Sequence, residues 1–132
     1  MFCARTAFAT KIRTAYFQPK KTELIGTIES QTFPGPPNYE NIANGDEVES
    51  GWYLRLSGPI NITYAPREKA VDNDMPLKNV KIVQMIVHYS SPTKELVKSG
   101  NKVKITGTLL GKLTGHHHAR VLINIENIEM EK

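Results

Sequence analysis

Apolar residues return at every second position in several separate stretches of the chain, the period of half-buried strands rather than helices. In Glu23 to Ser30, Leu24, Gly26 and Ile28 alternate with Glu23, Ile25, Thr27 and Glu29, which predicts a first strand with a bulge or sharp coil at Gly26. Trp52, Leu54 and Leu56 alternate with Tyr53, Arg55 and Ser57 in a second, which resumes after Gly58-Pro59 as Ile60, Ile62 and Tyr64. Val80 to His88 has the β-branched content of a buried third strand. Asn101 to Leu110 is the fourth, with Val103 and Ile105 inward, Lys102, Lys104 and Thr106 outward, and a bend at Gly107. Arg120 to Ile128 is the fifth, with Val121, Ile123 and Ile125 on one face.

One helix interrupts this series. Ser91-Pro92 supplies an N-cap with proline at the first helical position and Gly100 a stop, so Pro92 to Ser99 reads as a short helix. Strand, strand, strand, helix, strand, strand is the order of a five-stranded OB-type (oligonucleotide/oligosaccharide-binding) β-barrel, β-β-β-α-β-β. The expected fold is therefore all-β with one short helix, a single domain over residues 23–132, with another small barrel or a sandwich as the alternative. With 132 residues and 39% hydrophobic content there is core enough for one domain. The longest apolar stretches fall far short of the roughly 20 residues of a helical membrane span.

Two connections carry the unusual residues. Residues 31–51 include Gly35-Pro36-Pro37-Asn38-Tyr39, then Asn44-Gly45 and the acids Asp46, Glu47 and Glu49, a long loop stiffened by prolines. Residues 111–118 end in Thr114-Gly115-His116-His117-His118. In an OB barrel these are the first-to-second and fourth-to-fifth strand loops, which lie on the ligand side. We therefore expect Gly35, Pro36, Pro37, Asn38, Tyr39, Asp46, Gly115, His116, His117 and His118 to form one ligand-binding surface. The bland alternatives are a loop that prolines merely rigidify and imidazoles that brace a hairpin.

His116 and His118 would project to one side if extended, which suggests a divalent metal such as zinc. Three consecutive histidines cannot all converge, so Asp46, Glu47, Glu49 or His88 would have to complete the ligand set. Trp52, Tyr53, Tyr64 and Tyr89 offer stacking platforms, although aromatic alternation at strand spacing more often marks packing, and we weigh Trp52 toward the core. No nucleophile elbow, phosphate-cradling glycine loop or HExxH stands out, which leans against an enzyme, and no catalytic residue is assigned.

The net charge of +4 changes the picture only when divided along the chain. Residues 1–22 hold five bases and no acid, whereas residues 23–132 hold 12 bases against 13 acids. Within the latter, residues 23–77 carry 3 bases and 9 acids and residues 78–120 carry 8 bases and 1 acid, so the domain is polarised rather than basic. Single-stranded nucleic-acid binding through Lys102, Lys104, Lys112 and Arg120 is disfavoured by that balance. Cys3 is the single cysteine, so no intrachain disulfide is expected. Residues 1–22 show no periodicity and read as a flexible N-terminal segment. Ala7-Phe8-Ala9 matches a signal-peptidase site but lacks the preceding apolar stretch, so the segment is a signal-peptide remnant or a frayed terminus.

The segments PGPPNYENIANGDEVESGWYLRL and VKITGTLLGKLTGHHHARVLINIENI together resemble the bacterial family called domain of unknown function 4431. The resemblance spans roughly residues 23–128 and implies a periplasmic or secreted setting, with no established activity. The incomplete signal peptide departs from that pattern and leaves a cytoplasmic location open. The functional expectation is a noncatalytic binding module of the bacterial envelope, with a protein, glycan or small anionic ligand as partner and no resident cofactor. A metal-binding or metal-dependent protein and a single-stranded nucleic-acid binder are the rivals.

Overall fold

The computed structural model of the chain describes residues 12–66, 75–88, 92–111 and 119–131. Among them run six strands: β1 (Arg13–Tyr16), β2 (Lys21–Pro34), β3 (Val48–Thr63), β4 (Leu77–Ile86), β5 (Lys102–Gly111) and β6 (Val121–Met130). Among the described residues the helical pieces are two 3-10 turns, Ile42–Asn44 and Pro92–Leu96. All-β is thus the class the alternation predicted.

β2 and β3 are long because β2 serves two neighbours and β3 three. The first half of β2 pairs antiparallel with β5, from Lys21 opposite Thr108 to Thr27 opposite Lys102, and its second half with β3, from Gly26 opposite Leu56 to Pro34 opposite Val48. β3 also pairs antiparallel with β4, Leu54 facing Val83. β5 pairs antiparallel with β6, and β6 lies parallel to β4 through Gln84–Leu122, Met85–Ile123 and Ile86–Asn124. The ladders therefore run β3–β2–β5–β6–β4 and return to β3.

One side chain parity of every strand points into this ring. Leu24, Ile28, Leu54, Val83, Val103, Ile105, Leu109 and Ile123 are fully buried in one cluster. Gly26 and Gly107 share that parity for a reason of space: a Cβ at Gly26 would strike the Arg55 carbonyl oxygen, and one at Gly107 the Asn124 carbonyl oxygen. Gly107 also stands at the register shift between β5 and β6, after which Ile125 and Ile128 are both buried although three residues apart.

Three expectations are corrected. Residues 12–22, assigned to a flexible segment, are part of the fold: β1 pairs parallel with β3, and the Phe17 amide donates to the Thr63 carbonyl at 2.9 Å while the Gln18 amide donates to the Leu109 carbonyl at 2.8 Å. Ala15 and Phe17 are buried, and the Phe17 ring lies 5.6 Å from that of Tyr64. So short a strand leaves no periodic signal, and its partners are distant in sequence. The short helix expected over Pro92–Ser99 is instead the 3-10 turn Pro92–Leu96, its end closed by Val97 N–H to the Lys94 carbonyl, three residues back. The chain has no length for a second turn, because Gly100 (φ +94°) donates to the Ile28 carbonyl and the Asn101 carbonyl accepts from the Ile28 amide. Finally, the first long loop is shorter than residues 31–51: β2 continues to Pro34, and Phe33 packs edge-on against Tyr53 at 5.7 Å.

Because Phe17 is buried between β1, β3 and β5, Phe17→Ala should cost about 3–5 kcal/mol of folding free energy. Denaturant titration measures it, and a loss under about 1 kcal/mol would mean that β1 is not docked.

Candidate functional site

Residues 35–47 connect β2 to β3, and their backbone is wound about one carboxylate. The Gly35 amide donates to the Glu47 carbonyl at 2.7 Å and the Glu47 amide to the Pro36 carbonyl at 2.8 Å, closing the base of the loop. Past the cis Pro36-Pro37 bond, Tyr39 takes a left-handed conformation (φ 57°), its amide bonded to the Gly35 carbonyl. Asn41 then starts the first 3-10 turn, its side-chain oxygen accepting from the Ala43 amide at 2.8 Å. Gly45 (φ +107°) ends that turn in a conformation few other residues adopt without strain.

Asp46 is buried at the centre of this loop. Its Oδ1 accepts from the Asn38 amide at 3.0 Å, and its Oδ2 from the Glu40 and Asn41 amides at 2.8 and 2.9 Å. The Asn41 and Glu40 amides, with a smaller share from Asn38, hold its carboxyl below the usual aspartate range against the opposing effect of burial. The amides that a bound anion would use here are thus occupied by the chain's own carboxylate. Asn38 and Tyr39 are exposed, and the Asn38 side chain also bonds to the Asp46 carboxylate.

A cleft of about 270 Å³ opens on the strands that this loop joins and on β4 and the residue after it, lined by Ser30, Ser50, Gly51, Trp52, Gln84, Met85 and Val87. The ladders assemble it: Ser30 faces Trp52 across β2 and β3, and Tyr53 faces Gln84 across β3 and β4. Trp52 packs against the core, the side toward which it was weighed, and also lines the cleft. Tyr53, by contrast, is buried, and a Cβ on Gly51 would come within 3.1 Å of its ring. The Gln84 side-chain oxygen accepts from the Ala119 amide at 3.3 Å, so the residue that follows the histidine run is tied to the cleft wall. Gly115, His116, His117 and His118 themselves lie outside the described residues, as do Tyr89 and Lys112.

His88 is exposed, and its Nε2 donates to the Asn124 side-chain oxygen at 2.7 Å. Among the described residues no three His, Cys, Asp or Glu side chains gather where a metal ion would need them. Also among them, no helix is long and apolar enough to cross a membrane. A second slit, of about 260 Å³, lies beside the start of β1, between Ile12, Leu24, Leu56 and Ile60, and there the Arg13 guanidinium donates to the Glu23 carbonyl at 2.6 Å.

Residues 88–129 match the model of the family described as Domain of unknown function (DUF4431). The match covers less than half of the chain and lies in its C-terminal part. The DUF4431 stretch takes in β5, β6 and the histidine run and leaves out Gly35–Tyr39. No curated protein and no solved structure matches the chain.

Alternation alone pointed to Trp52 as a core residue and did not single out Ser30, Ser50, Gln84, Met85 or Val87. These come together only through the register of three ladders, which periodicity does not encode. Asp46 was expected on a ligand surface; an acid placed just after Asn44-Gly45 at a loop's end is the signal of a carboxylate that caps free amides.

The Asp46 cage has a defined pH dependence. Its carboxyl is depressed in the fold, so its stabilisation is present above the ordinary aspartate value and lost as pH falls through the lowered one. Amides 38, 40 and 41 should stay protected from hydrogen exchange as pH drops through about 4. At neutral pH, Asp46→Ala should exchange them about tenfold faster or more, with β5 and β6 unaffected. Unchanged protection in the variant would mean that the loop is held by other contacts.

Proposed function

We propose that the chain is an OB-type five-stranded β-barrel that acts as a noncatalytic binding module of the bacterial envelope. The barrel reading rests on connectivity. Counting β2 to β6 as strands one to five, the ladders run one-two-three-five-four and back to one, with the crossover turn between three and four. β1 is then an addition that pairs with the far half of β3. The envelope setting rests on the resemblance to DUF4431 proteins.

The observation that carries the binding reading is the meeting of two loop anchors at one cleft. The Asp46-caged loop leads directly into Ser50, Gly51 and Trp52, and Ala119, at the end of the histidine loop, is bonded to Gln84. In this reading Gly35, Pro36 and Pro37 form the frame of the first loop, Asn38 and Tyr39 its exposed contacts, and Asp46 its internal brace. The partner is a protein, glycan or small ligand held by shape and hydrogen bonds rather than by charge.

The chain contains a single tryptophan, so its fluorescence reports this cleft alone. Neutral oligosaccharides, short peptides and small anions such as phosphate and citrate are the probes to titrate. At least one class should shift Trp52 emission saturably. Tyr39→Ala combined with His116→Ala and His118→Ala should weaken that binding tenfold or more while changing stability by only about half a kcal/mol per site. Emission that no class moves, or a variant that loses several kcal/mol, would overturn the module reading.

A further inference from the structure

We propose that the cleft between β2, β3 and β4 is a site for an uncharged, polyhydroxylated ring ligand, a saccharide unit stacked on Trp52. This rests on the binding-module reading and names the ligand class of that site. Two serine hydroxyls, one amide side chain, an indole, and the apolar side chains of Met85 and Val87 line the cleft. No charged side chain lines it among the described residues. The hydroxyls of Ser30 and Ser50 both donate and accept, as sugar hydroxyls do, and the indole presents an apolar face to the C–H side of a ring with an N–H at its edge.

Three further observations narrow the class. At about 270 Å³ the cleft falls just under the roughly 300–1,000 Å³ of pockets for drug-sized ligands, a fit for one ring rather than a folded chain. An anion finds no free donors at the neighbouring loop, because amides 38, 40 and 41 already bind Asp46. The nearby outward-facing cation Arg55 is taken as well, held by Glu29 through contacts of 3.0 and 2.9 Å. The site is also rigid on two sides: Gly51 lies against the Tyr53 ring, and Gln84 is buried with its oxygen on the Ala119 amide. A rigid site limits the ordering penalty that weakens binding of flexible polar ligands.

Calorimetric titration of the full chain with neutral tetrasaccharides of glucose and of N-acetylglucosamine tests this, with an acidic tetrapeptide, phosphate and a short oligonucleotide in parallel. One tetrasaccharide should bind saturably, shift Trp52 emission, and bind equally at low and high salt. Ser30→Ala with Ser50→Ala, both exposed positions, should weaken it about tenfold without changing the fold, and Trp52→Ala should weaken it further. Because Trp52 also packs on the core, Trp52→Phe keeps the test sound, retaining a ring and part of the affinity. Binding of the peptide, phosphate or oligonucleotide at this cleft without either saccharide would overturn the ligand class and leave the module reading standing. Saccharide binding unaffected by the serine pair would place the sugar elsewhere and overturn the site. No response to any probe would overturn both.

Discussion

The parallel pairing of β4 with β6 is the constraint on which the rest depends. Consecutive strands β5 and β6 form a hairpin, and β2 with β3 another, and hairpins of that kind assemble from local contacts alone. β4 and β6 are separated by β5 and run in the same direction, so their three residue pairs, Gln84–Leu122 to Ile86–Asn124, need the chain to cross over. The 3-10 turn Pro92–Leu96 makes that crossing short, and the bonds of Gly100 and Asn101 to Ile28 fix its exit. Once the pairing forms, each of β2 to β6 has two neighbours within the ring, β3 pairing with β1 as well, the core side chains are enclosed, and a row of open backbone groups is removed from the surface.

Closure also sets the geometry outside the core. It brings Gln84 beside Leu122, close enough to Ala119 for the Ala119 amide to donate to the Gln84 side-chain oxygen. It equally fixes Met85 and Val87 as one wall of the cleft that Ser30, Ser50 and Trp52 complete. The loop over residues 35–47 is held independently, by a buried carboxylate that uses no partner beyond its own segment. A polar, proline-containing loop gains a defined shape in this way with little apolar area to bury, because each amide bound to a charged acceptor is a strong, short-range restraint.

What was legible in the sequence follows from what alternation encodes. β5 shows the pattern most plainly, with Val103, Ile105 and Leu109 buried against half-buried or exposed neighbours, and β2 from Leu24 to Ile28 does the same. β1 was not legible: Ala15 and Phe17 are its only inward residues, and the groups they bury against lie in β3 and β5. The 3-10 turn was mistaken for a helix because its caps look alike; the difference arises from the pinning of Gly100 and Asn101 by β2, a nonlocal contact. The loops were located correctly between strands, yet Asp46 faces the backbone of its own loop, and the cleft depends on register across three strands. The DUF4431 resemblance, read over roughly residues 23–128, is matched over residues 88–129 and does not extend to Gly35–Tyr39.

The most direct test of this account is a solution measurement of the closing ladder. Nuclear Overhauser contacts should link Gln84–Ile86 to Leu122–Asn124 in parallel register, together with antiparallel contacts between Tyr53–Arg55 and Ile82–Gln84. That result would establish the closed ring and with it the junction of both loop anchors at one cleft. A β6 that contacts β5 alone, with β4 paired only to β3, would leave the ring open, separate Ala119 from Gln84 and contradict the account.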